Sequence, residues 1–149
     1  MNNQIARLNT RINNLDSTIG RLNNFNTSQT EQIGQITRRL NTAYFIVGDE
    51  KDLLEKNVIY KDGGFLGFLG QVERLNPELK TDLFTQIDIR NDNLIEVRKE
   101  NGNDKINVIT YHPPESFTLT DVNDNLAQLE ITDPELFWQA SKYLVVLKE

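Results

Sequence analysis

Apolar residues in the first 43 positions recur in alternating steps of three and four, and this spacing predicts a coiled-coil helix. One position of the seven-residue repeat, called a, carries mostly Ile; the other, called d, carries mostly Leu, and Ala43 closes the series. A lone helix has nothing to bury so narrow a stripe against, so the pattern predicts pairing with the same helix of another copy. The predicted seam consists of Ile5, Leu8, Ile12, Leu15, Ile19, Leu22, Asn26, Gln29, Ile33, Ile36 and Leu40.

The residue types at the seam indicate how many helices pair and in which direction. Ile at a with Leu at d favours a parallel dimer, and a trimer is the alternative. Asn26 occupies an a position, where it lowers stability but fixes the register and favours dimers, because it pairs only with its counterpart. Arg11 and Asp16 flank the seam at the spacing that brings each to the other across a parallel pair.

The predicted helix is weak on its own. Gly20 and Gly34 lie on its outer face, and each costs roughly 1 kcal/mol relative to Ala in a helix. Residues 23–30 are polar apart from Phe25, which predicts a soft joint or a break. The alternative, a helix folded back onto its own domain, is disfavoured because such helices usually show a wider apolar face.

The pattern changes at Tyr44, and residues 44–149 predict short strands with two short helices. Asp49 is the expected cap of a helix at 50–56, and Asp133 or Thr132 caps a second helix that begins with Pro134. The final strand is apolar on both faces, which predicts a central place in the sheet. The predicted strands include 44–47, 58–60, 83–90, 117–122, 126–131 and 143–147.

Asn101 and Gly102 suit the two-residue type I′ turn of a β-hairpin. With these residues as the loop, Val97 faces Ile106, and Ile95 faces Val108. The predicted fold class is therefore α+β: a parallel coiled-coil helix at 1–43, followed at 44–149 by a small, mostly antiparallel β domain. A curled sheet or small open barrel fits this domain best.

Charge is unevenly distributed along the chain. The net charge is −6, but residues 1–43 carry five Arg against two acidic residues, a net +3, which leaves −9 for the rest. An acidic globular part argues against nucleic-acid binding, because phosphate contacts need a basic surface. No apolar run approaches the roughly 20 residues that span a bilayer. There is no Cys, which excludes disulfides, thiolate metal sites and Cys nucleophiles.

Few residues suggest catalytic or metal chemistry. His112 is the one His, and no nucleophile motif accompanies it, so a turn or surface His is the favoured interpretation over a general base. Residues 121–125 begin like a calcium loop, but Leu126 and Thr132 stand where Gly and Glu are required, which favours a polar turn. The sequence predicts no enzyme activity, no cofactor and no bound metal.

The best candidate for a ligand or partner surface is the loop 63–70. Its Gly spacing resembles a phosphate loop, but no Lys-Ser/Thr follows, so a hydrophobic loop is favoured. If it is exposed, it is the best apolar docking patch in the chain. Trp138 is the alternative aromatic platform, although a core anchor is the favoured interpretation. The candidate surface consists of Phe65, Leu66, Phe68, Leu69, His112 and Trp138.

Residues 42–48, 63–67, 131–138 and 141–146 carry a resemblance to a known group of proteins. They are similar to stretches of uncharacterised bacterial envelope proteins, often labelled lipoproteins, in which a lipid-attachment segment precedes a coiled coil and a small β-rich domain. The resemblance covers roughly residues 40–149 and implies a cell-envelope or periplasmic location without a known activity. This chain has no signal and no lipid-acceptor Cys, so either the segment was removed or this member is soluble.

Two functional hypotheses follow. The first is a non-enzymatic structural or interaction protein, in which an oligomeric coiled-coil tether presents acidic β domains to a protein or surface. The alternative is a β module that binds a small molecule, peptide or glycan, with the helix incidental. The seam favours the first hypothesis.

Overall fold

The computed structural model describes residues 2–62 and 72–149, which divide into two compact units. One unit ends at Leu40, and the other, here called the β-rich unit, is Asn41–Glu149. The first contains α1, a 40-residue helix at Asn2–Asn41. The helix continues through 23–30, so the break considered for this segment does not occur. The Thr30 hydroxyl there donates to the carbonyl of Asn26 at 2.9 Å, a bond within the helix.

The described part of the β-rich unit contains nine strands and two short α-helices. The predicted α+β class with a mostly antiparallel β region is confirmed. The described strands form three open sheets rather than the expected single curled sheet or small open barrel. The elements are β1 (Thr42–Asp49), α2 (Glu50–Glu55), β2 (Ile59–Asp62), β3 (Val72–Leu75), β4 (Thr85–Asp88), β5 (Leu94–Arg98), β6 (Ile106–Val108), β7 (Phe117–Asn123), β8 (Leu126–Ile131), α3 (Pro134–Phe137) and β9 (Tyr143–Lys148).

The large sheet has the strand order β4-β1-β9-β6, and β9 lies inside it, as its two apolar faces predict. β1 and β9 run parallel, with Tyr44 opposite Tyr143. The first and last strands of the unit are therefore neighbours. The small sheet has the order β5-β8-β7, and β2 and β3 form a two-stranded ribbon.

Two core clusters lie on opposite faces of the large sheet. Along β9, Leu144 and Val146 belong to the cluster shared with the small sheet, whereas Val145 and Leu147 belong to the cluster shared with α2 and β2. Ala43 lies in β1 and is fully buried in the first cluster. Its expected place at the end of the seam is therefore wrong, because the chain has already left the helix.

The predicted hairpin between β5 and β6 is wrong. β5 pairs with β8, so that Val97 lies opposite Ala127, and β6 pairs with β9. The turn residues instead form a wider loop that carries the chain from the small sheet to the large one. Asp104 closes this loop, because its Oδ2 accepts the amides of Glu100 at 2.7 Å and Asn101 at 3.1 Å.

Local capping signals and the second hairpin are confirmed. Asp49 caps α2 by accepting the amide of Asp52 at 2.7 Å, and Asp133 caps α3 by accepting the amide of Leu136 at 3.0 Å. β7 and β8 form the antiparallel pair expected around residues 123–125.

Candidate interaction surfaces

The seam of α1 is exposed along the single helix. Its eight large apolar side chains between Ile5 and Ile36 are each 53–64% exposed, and α1 contains no buried residue. At 1.5 Å per residue, this stripe extends for about 47 Å. Soluble proteins rarely leave so many large apolar side chains exposed along one face. The stripe is therefore a candidate interaction surface, the one that the heptad pattern predicts.

Polar residues divide the seam and flank it. Asn26 and Gln29 are exposed at consecutive a and d positions, and Phe25 lies beside them with its ring exposed. Arg11 and Asp16 are also exposed, and neither makes a salt bridge within the described residues. These groups are consequently available to a partner helix.

His112 and Trp138 belong to the core rather than to an accessible surface. They are 5% and 2% exposed, respectively, and both rings contact Phe137. The imidazole stacks on the Phe137 ring with centroids 3.9 Å apart, while the indole meets it edge-on at 4.8 Å. The prediction that His112 and Trp138 belong to a ligand or partner surface is therefore wrong, because both side chains are buried. The burial of Trp138 fits its alternative interpretation as a core anchor. Phe65, Leu66, Phe68 and Leu69 lie outside the described residues.

The hydrogen bonds of His112 define its tautomer. Nδ1 lies 2.7 Å from the carbonyl oxygen of Phe137, which can only accept, so Nδ1 carries the hydrogen. Nε2 lies 3.0 Å from Thr110 Oγ1, which also accepts the amide of Val145 at 3.1 Å. The Thr110 hydroxyl therefore donates to Nε2, and the neutral ring has both nitrogens bonded. Burial lowers the pKa of His112, and hydrogen bonding to the backbone of Phe137 and of Tyr143 only partly opposes this.

This buried neutral His predicts a loss of stability in mild acid. The unfolded state takes up a proton near the ordinary pKa of 6.5, whereas the folded state resists it, so stability falls as pH drops from about 7 to 5. We expect His112→Gln to be less stable at pH 7.5 but to lack most of this fall. Urea unfolding followed by Trp138 fluorescence measures both.

The Asp88 carboxylate titrates outside this range, because its bonds to Arg90 hold the pKa of Asp88 at about 2. An equal fall in stability for the chain and for His112→Gln would contradict the assignment. A fall confined to pH below 5 would also contradict it, since carboxylates would then be responsible.

The described residues offer no metal site. They contain no group of three or more His, Cys, Asp or Glu side chains placed to hold an ion. In the segment that begins like a calcium loop, Asn123 Oδ1 instead accepts the amide of Asn125 at 2.9 Å, which closes the β7–β8 turn.

Some features of the β-rich unit carry no local sequence signal. The parallel pairing of β1 with β9, the burial of Lys99 and the exposed outer edge of β7 depend on strands distant in the chain. Among the described residues, no helix is apolar enough over sufficient length to cross a membrane. No protein-family model, curated protein or solved structure matches the chain.

Proposed function

We propose that this protein is a homodimeric tether in which α1 pairs in parallel with α1 of a second copy. The exposed seam of α1 carries this proposal. Burying the exposed half of one Ile or Leu side chain contributes about 1 kcal/mol. A dimer covers twice the eight apolar residues between Ile5 and Ile36. The apolar contribution of these sixteen side chains, about 16 kcal/mol, is large enough to offset the roughly 4–15 kcal/mol lost in translational and rotational freedom on association.

The polar residues support a second copy as the partner, and parallel as the direction. In a parallel, in-register pair, Asn26 meets Asn26 of the other copy, and each side chain amide finds a matching donor and acceptor. Arg11 then lies within reach of Asp16 of the other helix on both sides of the seam. A purely apolar partner would bury Asn26 without a hydrogen bond, which costs stability.

Such a tether joins two acidic β-rich units in one assembly. Each unit can contribute a weak binding site, and linkage raises the effective concentration of the second site once the first is occupied. On the resemblance to envelope proteins, we propose a bacterial cell-envelope setting, where multivalent attachment to a protein or surface is useful. This function requires no catalytic residue.

Disulfide crosslinking tests self-association and direction together. The chain has no Cys, so Leu15→Cys introduces the sole thiol, at a d position of the seam. In a parallel dimer the two thiols are adjacent, and mild oxidation should convert most of the chain to a species of twice 17.2 kDa.

Ser17→Cys is the matched control, because residue 17 lies on the outer face of the same helical turn. It should crosslink at least ten times more slowly than Leu15→Cys. Equal crosslinking of the two variants, or none at residue 15, would refute parallel pairing through the seam.

A further inference from the structure

One edge of the small sheet has no strand beside it among the described residues. Lys99 N donates to Asn125 O, and Ile131 N donates to Asn93 O, so odd-numbered residues of β8 direct their backbone groups towards β5. Even-numbered residues of β8 therefore bond β7, where Thr118 pairs with Glu130.

The alternation leaves the other backbone groups of β7 facing outwards. Leu119 and Asp121 direct their N–H and C=O groups away from β8, and no described strand pairs with this outer edge of β7. The backbone N–H and C=O groups of Thr118 and Thr120, by contrast, bond to β8. β7 thus presents a regular row of donors and acceptors at its outer edge.

A cavity of about 390 Å³ lies beside this edge. Ile106 and Asn107 of β6 line one side, and Leu119 and Asp121 of β7 line the other. Leu119 shares a face of the small sheet with the buried Leu129, but it is 38% exposed because it stands at the edge. Most of the lining is polar or charged, and its apolar part consists of Ile106 and Leu119. An apolar side chain that enters the cavity beside Leu119 can therefore contact these two residues.

The charged groups of the cavity present a carboxylate to solvent. The Lys99 side chain is 3% exposed, and its Nζ donates to Asp121 Oδ1 at 3.1 Å and to Gly102 O at 3.2 Å. The Asp121 side chain is 69% exposed. Asp104 also lines the cavity, but the amides of the preceding loop already occupy its Oδ2. Lys105 is the exposed cation of the lining, and Asp121 is the carboxylate nearest the β7 edge.

The edge is short, which limits what it can bind. The register of β7 with β8 shifts between Asp121 and Asn123, and such a bulge bends the strand and ends regular pairing. Residues 117–121 keep a regular register with β8, and their outer edge is long enough for a ligand strand of about five residues.

We infer that the outer edge of β7 binds an extended peptide segment, which adds antiparallel to the small sheet as a fourth strand. The residue opposite Leu119 is apolar and enters the cavity, and the residue opposite Asp121 is basic. The net charge of −9 on the residues after 43 attracts such a basic segment. Backbone hydrogen bonds supply affinity, and the two side chains supply specificity. This site is independent of pairing through α1.

The test uses the full chain and an acetylated, amidated Lys-Thr-Val-Thr-Val peptide, which places Lys opposite Asp121 and the central Val opposite Leu119. NMR hydrogen exchange should show at least tenfold slower exchange of the Leu119 and Asp121 amides on peptide addition. The Thr118 and Thr120 amides, already bonded to β8, should not change.

Two matched pairs make the result specific. Methylating the central Val nitrogen of the peptide removes a bond to β7 and should abolish binding, whereas methylating the following Thr nitrogen, which faces away, should not. Leu119→Lys should abolish binding, and Thr120→Lys, on the opposite face, should retain it.

Three results would overturn the inference. One is no exchange or chemical-shift change at millimolar peptide. Another is equal binding of the two methylated peptides. The third is slow exchange of the Leu119 and Asp121 amides in the protein without peptide. Slow exchange at every protein concentration would mean that the chain itself covers the edge, and slow exchange only at high concentration would mean that a second copy covers it.

Discussion

Replacing Ile12 and Ile19 together with Asp is expected to lower the solution mass from twice 17.2 kDa to 17.2 kDa. In the proposed dimer these a positions are buried, so the substitutions place two carboxylates in each of two layers that are separated by the Leu15 layer. Each costs several kcal/mol through lost solvation and like-charge repulsion, which together exceed the gain from the remaining seam. Sedimentation equilibrium between about 5 and 200 µM measures the change.

The separated helix should also lose much of its helical signal. Gly20 and Gly34 weaken it, and the Thr hydroxyls of α1 compete for its backbone carbonyls. We therefore expect far-UV circular dichroism at 222 nm to fall together with the mass. Trp138 fluorescence should stay unchanged, because that side chain belongs to the core of the β-rich unit.

The matched control places Asp at Thr10 and Ser17, which lie on the outer face of α1 and are exposed. This variant adds the same charge to the same turns but should remain dimeric. An unchanged mass for the Ile12 and Ile19 variant would refute the seam as the association surface. If the variant with Asp at Thr10 and Ser17 dissociated equally, lower helix propensity or added charge, rather than loss of the seam, would explain the change in mass.

The mass of the unmodified chain also distinguishes a dimer from a trimer. Asn26 favours two helices because two side chain amides can pair reciprocally at one layer. A mass of three times 17.2 kDa would retain association through the seam but refute the dimer. A mass of 17.2 kDa throughout the concentration range would refute the tether itself.

Features that depend on neighbouring residues were predictable from the sequence. The heptad pattern predicts the helix α1 and the apolar stripe exposed along it. Asp49 and Asp133 mark helix starts, because each cap and the amide it accepts lie within three residues. The β7–β8 pair was also predictable, because the two strand patterns and the polar turn between them indicate the same hairpin.

Pairing between distant strands was not predictable in the same way. Asn101 and Gly102 identify a turn correctly but do not choose the strand that Val97 joins. That choice follows from the core, where Val97 is fully buried opposite Ala127. The exposed edge of β7 was not predictable for the same reason. Whether Leu119 faces solvent depends on which strand lies at the edge of the small sheet.

Phe137→Ala is expected to destabilise the β-rich unit by about 3–5 kcal/mol, the cost of removing a large, fully buried aromatic side chain. Its ring contacts His112, Phe117 and Trp138, so truncation leaves a cavity among three aromatic groups that small shifts cannot close. Urea unfolding monitored by Trp138 fluorescence gives the free energy. Phe137→Leu, which retains part of the volume, should lose less and remain folded if the Ala variant does not.

Phe25→Ala is the matched control for this substitution, because Phe25 is exposed on α1 and belongs to the other unit. It should leave the Trp138 unfolding transition within 0.5 kcal/mol of the unmodified chain, roughly the range for exposed positions. A loss below about 1 kcal/mol for Phe137→Ala would contradict its place at the centre of the core. Phe137→Leu should also retain the dimer mass, because the seam holds no residue of this cluster. Loss of the dimer in that folded variant would show that the β-rich unit, rather than α1 alone, joins the two copies.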